Sequence, residues 1–122
     1  MSKILIVDDD PELLDLVQEQ LEDYGHLVLK SAKPMEAIRL FQDTLPDLVI
    51  IDVIMQGMDG FDLLKQLKEI TNNFKSILLS GVNDDKCREL AVQVGADLYL
   101  VKPIDPDKFK SAIESLLRRS TQ

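Results

Sequence analysis

A chain of 122 residues has the length of one domain, and a 45% hydrophobic, 30% charged composition is that of an ordinary folded domain rather than a disordered one. Its net charge of −8, from 22 acidic and 14 basic residues, excludes the basic surface that direct nucleic-acid binding requires, and no apolar run approaches the ~18 residues of a membrane span. The single cysteine, Cys87, excludes an internal disulfide and a thiolate metal cluster within one chain.

Residues 4–7 form an unbroken apolar run, read as a strand buried on both faces, which leads directly into Asp8, Asp9 and Asp10. This start is too acidic and too short in its apolar run to read as a secretory signal, so the expected home is the cytosol. Asp10-Pro11 reads as an N-cap followed by proline at the first helical position, and Leu13, Leu14, Val17 and Leu21 recur at helical period. Gly25 is placed as a left-handed C-cap, and a weaker strand follows at 27–29. Pro34 opens a second helix carrying Ala37, Ile38, Leu40 and Phe41, and residues 48–51 form a third strand ending at Asp52. Gly57 and Gly60 then permit a tight loop before a helix beginning near Phe61. A fourth strand at 77–79 runs into Ser80-Gly81, and a helix with Leu90, Ala91 and Val94 closes at Gly95. The fifth strand, 98–101, exits through Lys102-Pro103, and Pro106 opens a last helix with Phe109, Ile113, Leu116 and Leu117. Residues 1–122 therefore read as one α/β domain with a parallel sheet covered by helices on both faces, in which 118–122 form a polar tail or a trimmed linker to a further domain.

In a parallel sheet the carboxyl ends of the strands share one edge, and ligands bind there where the strand order reverses. That edge is expected to collect Asp8 and Asp9, Asp52, Ser80 and Lys102. Singly, each has an ordinary structural role: acids cap helices, serine starts loops, and Lys-Pro is a common strand exit. Four strands of five ending in a reactive polar group describe a site instead. Oxygen ligands with net negative charge suit a hard cation such as Mg²⁺, while a sole histidine, His26, after a helix end disfavours zinc. A carboxylate can attack phosphorus to form an aspartyl phosphate when a metal and a cation neutralise the transferring group. Asp52 with Lys102, and Ser80 as a hydrogen-bond donor, fit those roles.

On these residues the chain resembles the response-regulator receiver domains of two-component signalling. The paired acids of VDDD, the aspartate in IIDVIMQGMDG, the Ser-Gly of LLSG and the Lys-Pro of YLVKP occur in family order and spacing across essentially the whole chain. The resemblance implies a flavodoxin-like doubly wound (βα)5 three-layer sandwich with strand order 2-1-3-4-5, an order general to that fold. It implies that Asp52 accepts a phosphoryl group from a phosphohistidine on a sensor histidine kinase or histidine phosphotransfer protein. It also implies Mg²⁺ held by Asp8, Asp9, Asp52 and the backbone carbonyl of Ile54, with Lys102 pairing with the phosphoryl group and a cis Lys102-Pro103 peptide. Ser80 and Tyr99 become the switch residues, and output passes through the helix 4, strand 5 and helix 5 face to an output domain, a partner protein or a second copy. Such a domain assists its own phosphorylation and dephosphorylation and is not a turnover enzyme.

Two departures from the family pattern stand out. Gln56 occupies a position where proline is common, and Ser80 replaces the commoner threonine but keeps the hydroxyl. The positions two after Asp52 and two after Ser80 are Ile54 and Val82, both apolar. Neither side chain can orient an attacking water, so a long-lived phosphoryl group is expected. Three rivals are weaker. A haloacid-dehalogenase-type phosphatase using Asp8-x-Asp10 is disfavoured by Pro11 and by the lack of room for a cap. A flavin-binding module of the same fold needs phosphate-cradling groups where this chain has three acids. A phosphorylation-independent docking receiver would have no use for Asp52, Lys102 and the acid pair.

Overall fold

The computed structural model describes the backbone of residues 2–120 and the side chains of residues 2–118. Strands and helices alternate: β1 (Lys3–Val7), α1 (Pro11–Asp23), β2 (Leu27–Ser31), α2 (Pro34–Thr44), β3 (Leu48–Asp52), α3 (Gly60–Ile70), β4 (Lys75–Ser80), α4 (Asp85–Gln93), β5 (Leu98–Val101) and α5 (Pro106–Ser120). All pairings are parallel and the sheet order is β2-β1-β3-β4-β5, the flavodoxin-like order expected.

The two-residue period of the strands divides their side chains between two cores. Ile4, Ile6, Leu48, Ile50, Ile77 and Leu79 pack with Leu14, Val17 and Leu21 of α1 and Phe109, Ile113 and Leu116 of α5. Leu5, Val7, Val49, Ile51 and Leu78 pack on the other face with α2, α3 and Ala91 of α4. Continuous apolar runs in β1, β3 and β4 are thus explained by burial on both sides. The edge strand β5 departs from that expectation: all four residues are only half-buried, and α4, which lies beside it, fully buries only Ala91.

The caps follow the sequence. Asp10 accepts hydrogen bonds from the backbone N–H groups of Glu12 and Leu13, with Pro11 at the start of α1, and Gly25 and Gly95 take φ of +89° and +81° after their helices. Pro34 and Pro106 open α2 and α5. Several boundaries differ from the expectation, and β2 runs on to Ser31 rather than ending at Leu29. β4 begins at Lys75, and α5 runs on through Ser120, so Arg118 and the two residues after it continue a helix, while residues 121–122 lie outside the described residues.

The register then fixes the functional edge. Val7 pairs with Ile51 and Leu79 with both Asp52 and Leu100, so Asp8 and Asp52 stand level, Ser80 lies one step further along, and Lys102 one step beyond that.

Candidate functional site

Asp8 is buried beyond the end of β1. Its Oδ1 accepts from the Asp10 N–H at 2.9 Å, and its Oδ2 lies 3.2 Å from Lys102 Nζ. Asp52, the last residue of β3, is 6% exposed, and its Oδ1 lies 3.4 Å from the same ammonium. The Ile54 N–H faces that oxygen from 3.5 Å. Lys102 therefore joins two buried carboxylates that residue spacing alone did not link: 94 positions separate it from Asp8. Asp9 stays exposed, yet Asp8, Asp9 and Asp52 each place a carboxylate oxygen within 4.8 Å of the others.

The loop after Asp52 is held in by its glycines. Gly57 has φ of +91°, and the Gly60 N–H donates to the Val53 carbonyl at 2.7 Å, which brings the first residue of α3 against the backbone of Asp52. A Cβ on Gly60 would lie 2.5 Å from the Asp52 carbonyl oxygen. Sequence reading located the loop but not this contact.

Burial, and then the neighbouring Asp8, push the Asp52 carboxyl above its ordinary pKa, and Lys102 and the Ile54 N–H only partly offset them. For Lys102, burial opposes the charge, but Asp8 and Asp52 outweigh it and hold the ammonium above its usual pKa. The site is a partly compensated concentration of negative charge. Its donors are all carboxylate oxygens, and a hard divalent cation supplies the compensation they lack, so the residues fit Mg²⁺. Zinc has no nitrogen or sulfur partner in this group. Saturating Mg²⁺ is expected to raise stability by about 2.7 kcal/mol at a hundredfold excess over its dissociation constant. Asp9→Asn should leave the metal-free melting temperature nearly unchanged and remove most of the Mg²⁺-dependent rise. An equal rise in both proteins, measured by thermal melts with Mg²⁺ and with EDTA, would remove Asp9 from the ligand set.

Asp10 faces away from this chemistry. It caps α1, so no Asp8-x-Asp10 catalytic pair of the dehalogenase kind forms. Ser80, wholly buried at the end of β4, accepts from the Val82 N–H at 3.0 Å. Tyr99 on β5 donates its hydroxyl to the Val82 carbonyl at 2.5 Å. The Lys102-Pro103 peptide is cis. Ile54 and Val82 are both solvent-exposed, at 64% and 37%.

The acidic pair, the strand-end aspartate, the buried serine and the lysine occupy one sheet edge, and the sequence matches the response regulator receiver domain over residues 4–114. The chain belongs to that family. Among curated relatives, this receiver is 32% identical over 98% of its length to the alkaline phosphatase synthesis transcriptional regulatory protein PhoP of Bacillus subtilis, covering 50% of that protein. It is 38% identical over 98% of its length to the transcriptional regulatory protein CpxR of Klebsiella pneumoniae, covering 51%. The receiver spans about half the length of the curated relatives it matches first. Among solved structures, a CheY-like receiver domain protein from Methanospirillum hungatei superposes with a TM-score of 0.95 at 27% identity, covering 99% of this chain and 97% of that one. A receiver domain protein from Clostridium thermocellum does so with a TM-score of 0.93 at 32% identity, over 99% and 98%. Among the described residues no helix of the receiver is long and apolar enough to cross a membrane.

Proposed function

We propose that this receiver takes a phosphoryl group on Asp52 from a phosphohistidine of a sensor histidine kinase or histidine phosphotransfer protein in the cytoplasm. The observation that carries this reading is the buried Asp52 carboxylate, 3.4 Å from an ammonium and within 4.8 Å of two further carboxylates. An Asp52 oxygen forms a bond to phosphorus as the bond from phosphorus to the histidine nitrogen breaks. Lys102, already charged and facing Asp52, balances the incoming negative charge, and the Ser80 hydroxyl is a hydrogen-bond donor for a phosphoryl oxygen. Mg²⁺ held by Asp8, Asp9 and Asp52, with the Ile54 carbonyl as a further ligand, would neutralise phosphoryl charge.

The hydrogen bonds at Ser80 suggest how the state of Asp52 reaches the surface. Val82 joins the two switch residues: its N–H is held by Ser80 and its carbonyl by Tyr99. A Ser80 hydroxyl that turns to a phosphoryl oxygen alters its bond with Val82, and through the Val82 carbonyl the change reaches Tyr99. The half-buried β5 and the thinly packed α4 can rearrange at low cost, which favours output through the α4, β5 and α5 face. The relatives named as transcriptional regulators are consistent with an output domain or partner protein there, or with a second copy joined on phosphorylation.

Intact mass after incubation with acetyl phosphate and Mg²⁺ tests this reading. A gain of one phosphoryl group is expected, dependent on metal and absent in Asp52→Asn. No gain, or a gain retained by the variant, would overturn it and favour a docking receiver.

The exposed apolar pair at Ile54 and Val82 also sets an expectation for lifetime. An Ile54→Asn, Val82→Glu double variant should lose phosphate about tenfold faster or more, because both positions then carry groups able to orient water. Mass spectra taken through the decay give the rate, and an unchanged rate removes these positions from control of lifetime.

A further inference from the structure

The helical layer that carries α2, α3 and α4 has a gap in it. α3 and α4 both start from the functional edge and run in the same direction, and a cleft of about 450 Å³ lies between them. Phe61, Asp62, Lys65 and Lys68 line it on the α3 side, Leu90 and Val94 on the α4 side. Phe61, Leu90 and Val94 are half-buried, and α4 fully buries only Ala91, so the flank of α4 that faces α3 is left half-covered. Spacings of three and four residues put Phe61, Lys65 and Lys68 on one stripe of α3, with Asp62 beside it. Charge is graded along that stripe, with Asp62 in the first turn of α3 and the two lysines in the turns that follow. Asp62 and Lys65 have the spacing at which opposite charges on a helix commonly pair. Among the described residues, however, neither side chain makes an ion pair or a hydrogen bond. Lys68 runs over the Phe74 ring, 5.7 Å from its centroid, and a Cβ on Gly95, just past α4, would lie 3.0 Å from its Nζ. α4 has no basic residue of its own in its last turn, so the positive end of the cleft is supplied by α3.

We propose that this cleft docks one amphipathic helix of a partner protein, laid antiparallel to α3 and α4, with its apolar stripe on Phe61, Leu90 and Val94, an acidic first turn beside Lys65 and Lys68, and a basic last turn beside Asp62. The direction follows from charge. Helices favour acids in the first turn and bases in the last, and a helix of that polarity matches the gradient of α3 only when it runs against it. The same orientation opposes its dipole to those of both neighbours. A uniformly acidic helix would be repelled at Asp62 and a uniformly basic one at both lysines. α3 has 11 residues, about 16 Å at 1.5 Å per residue, so the occupant spans about three turns. Apolar anchors at helical spacing supply the affinity, and the rim charges fix orientation. The cleft lies on the α3 flank of α4, apart from the α4, β5 and α5 face proposed for output, and its geometry does not depend on the phosphoacceptor reading.

Two helical peptides of identical composition test both the site and the direction. Each has about 14 residues with leucines at helical spacing. One carries two glutamates in its first turn and two lysines in its last, and its twin carries them exchanged. With the ¹⁵N-labelled chain, free of Mg²⁺ and phosphodonor, the first peptide is expected to shift amide resonances of α3 and α4 around the cleft. It should bind about tenfold tighter than its twin, because several exposed charge pairs change from attraction to repulsion. That preference should fade in ~1 M salt, where the screening length falls to about 3 Å. Exchanging the charges of the cleft, with Asp62→Lys and Lys65→Asp together, should turn the preference toward the twin. Lysine in the first turn of α3 weakens that helix, so Lys65→Asp alone is the second variant, expected to weaken the first peptide severalfold at an unchanged melting temperature. No binding by either peptide, equal binding by both, or shifts confined to surfaces away from α3 and α4 overturns the docking site. A preference that neither salt nor the variants move overturns the charge-set direction.

Discussion

Lys102→Met is expected to slow phosphoryl uptake from acetyl phosphate by about two to three orders of magnitude, the usual cost of removing one preorganised charge-stabilising donor. Methionine keeps the apolar stem and removes the ammonium that sits 3.2 Å from Asp8 and 3.4 Å from Asp52. Two buried carboxylates are then left without their shared cation, so stability at neutral pH in EDTA should fall by about 1–3 kcal/mol, less than for a fully buried pair because Lys102 is partly open to solvent. The sign of the pH dependence follows from the direction of the shifts. The Asp52 carboxyl already sits above its ordinary value of 3.8, which means that its charged form opposes folding at pH values above its folded pKa. Loss of Lys102 moves it further up, so the deficit of the variant should shrink as pH falls through that raised value toward 3.8. Lys102 has the opposite profile. With its pKa held above 10.5, its contribution in the parent is full below 10.5 and is lost only as pH rises through the folded value. Urea melts from pH 4 to pH 8 check the carboxylate arm and melts above pH 10.5 the Lys102 arm, and a deficit that grows on acidification would contradict this account.

Gly60→Ala is expected to destabilise the receiver even though alanine at an early helical position normally helps by up to about 1 kcal/mol. The added Cβ would meet the Asp52 carbonyl oxygen at 2.5 Å and the Val53 Cα at 2.8 Å, both backbone atoms that cannot rotate aside. Overpacking of this kind costs about 1–3 kcal/mol, and relief of the clash has to move α3 or the end of β3, which carries Asp52. Phosphoryl uptake should therefore fall along with stability. Gly57→Ala is the contrasting variant. Its φ of +91° makes alanine strained, at about 1–2 kcal/mol, but nothing lies within 4 Å of the new Cβ. It should lose stability and keep phosphoryl uptake. Denaturant midpoints paired with mass-detected uptake separate strain in the loop from displacement of the site, and equal uptake by both variants would refute the displacement.

The elements were legible because their signals are local. The apolar runs of β1 and β3, the Asp10-Pro11 start and the C-caps at Gly25 and Gly95 are each fixed by neighbours within a few residues, through strand burial, proline geometry and the left-handed conformation. The site residues were legible for a related reason: in a parallel sheet the residue after each strand lands on one edge, so locating the strands locates Asp8, Asp52, Ser80 and Lys102. β5 was read less well, because an apolar run of four residues looks the same at a sheet edge as at its centre. Its half-exposure depends on what α4 covers. The α5 boundary was also missed, since Arg118 and the residues after it are polar enough for a tail and regular enough for a helix.

By itself, then, the sequence determined which residues stand at the functional edge and what chemistry their types allow. Only the tertiary structure decided how they meet. The sharing of Lys102 between Asp8 and Asp52, the approach of Gly60 to the Asp52 backbone and the cleft between α3 and α4 depend on register and helix placement across segments distant in the chain. Periodicity and residue type report how a segment is buried, but not which distant group it is buried against, and that second fact sets the charge balance and the strain at this site.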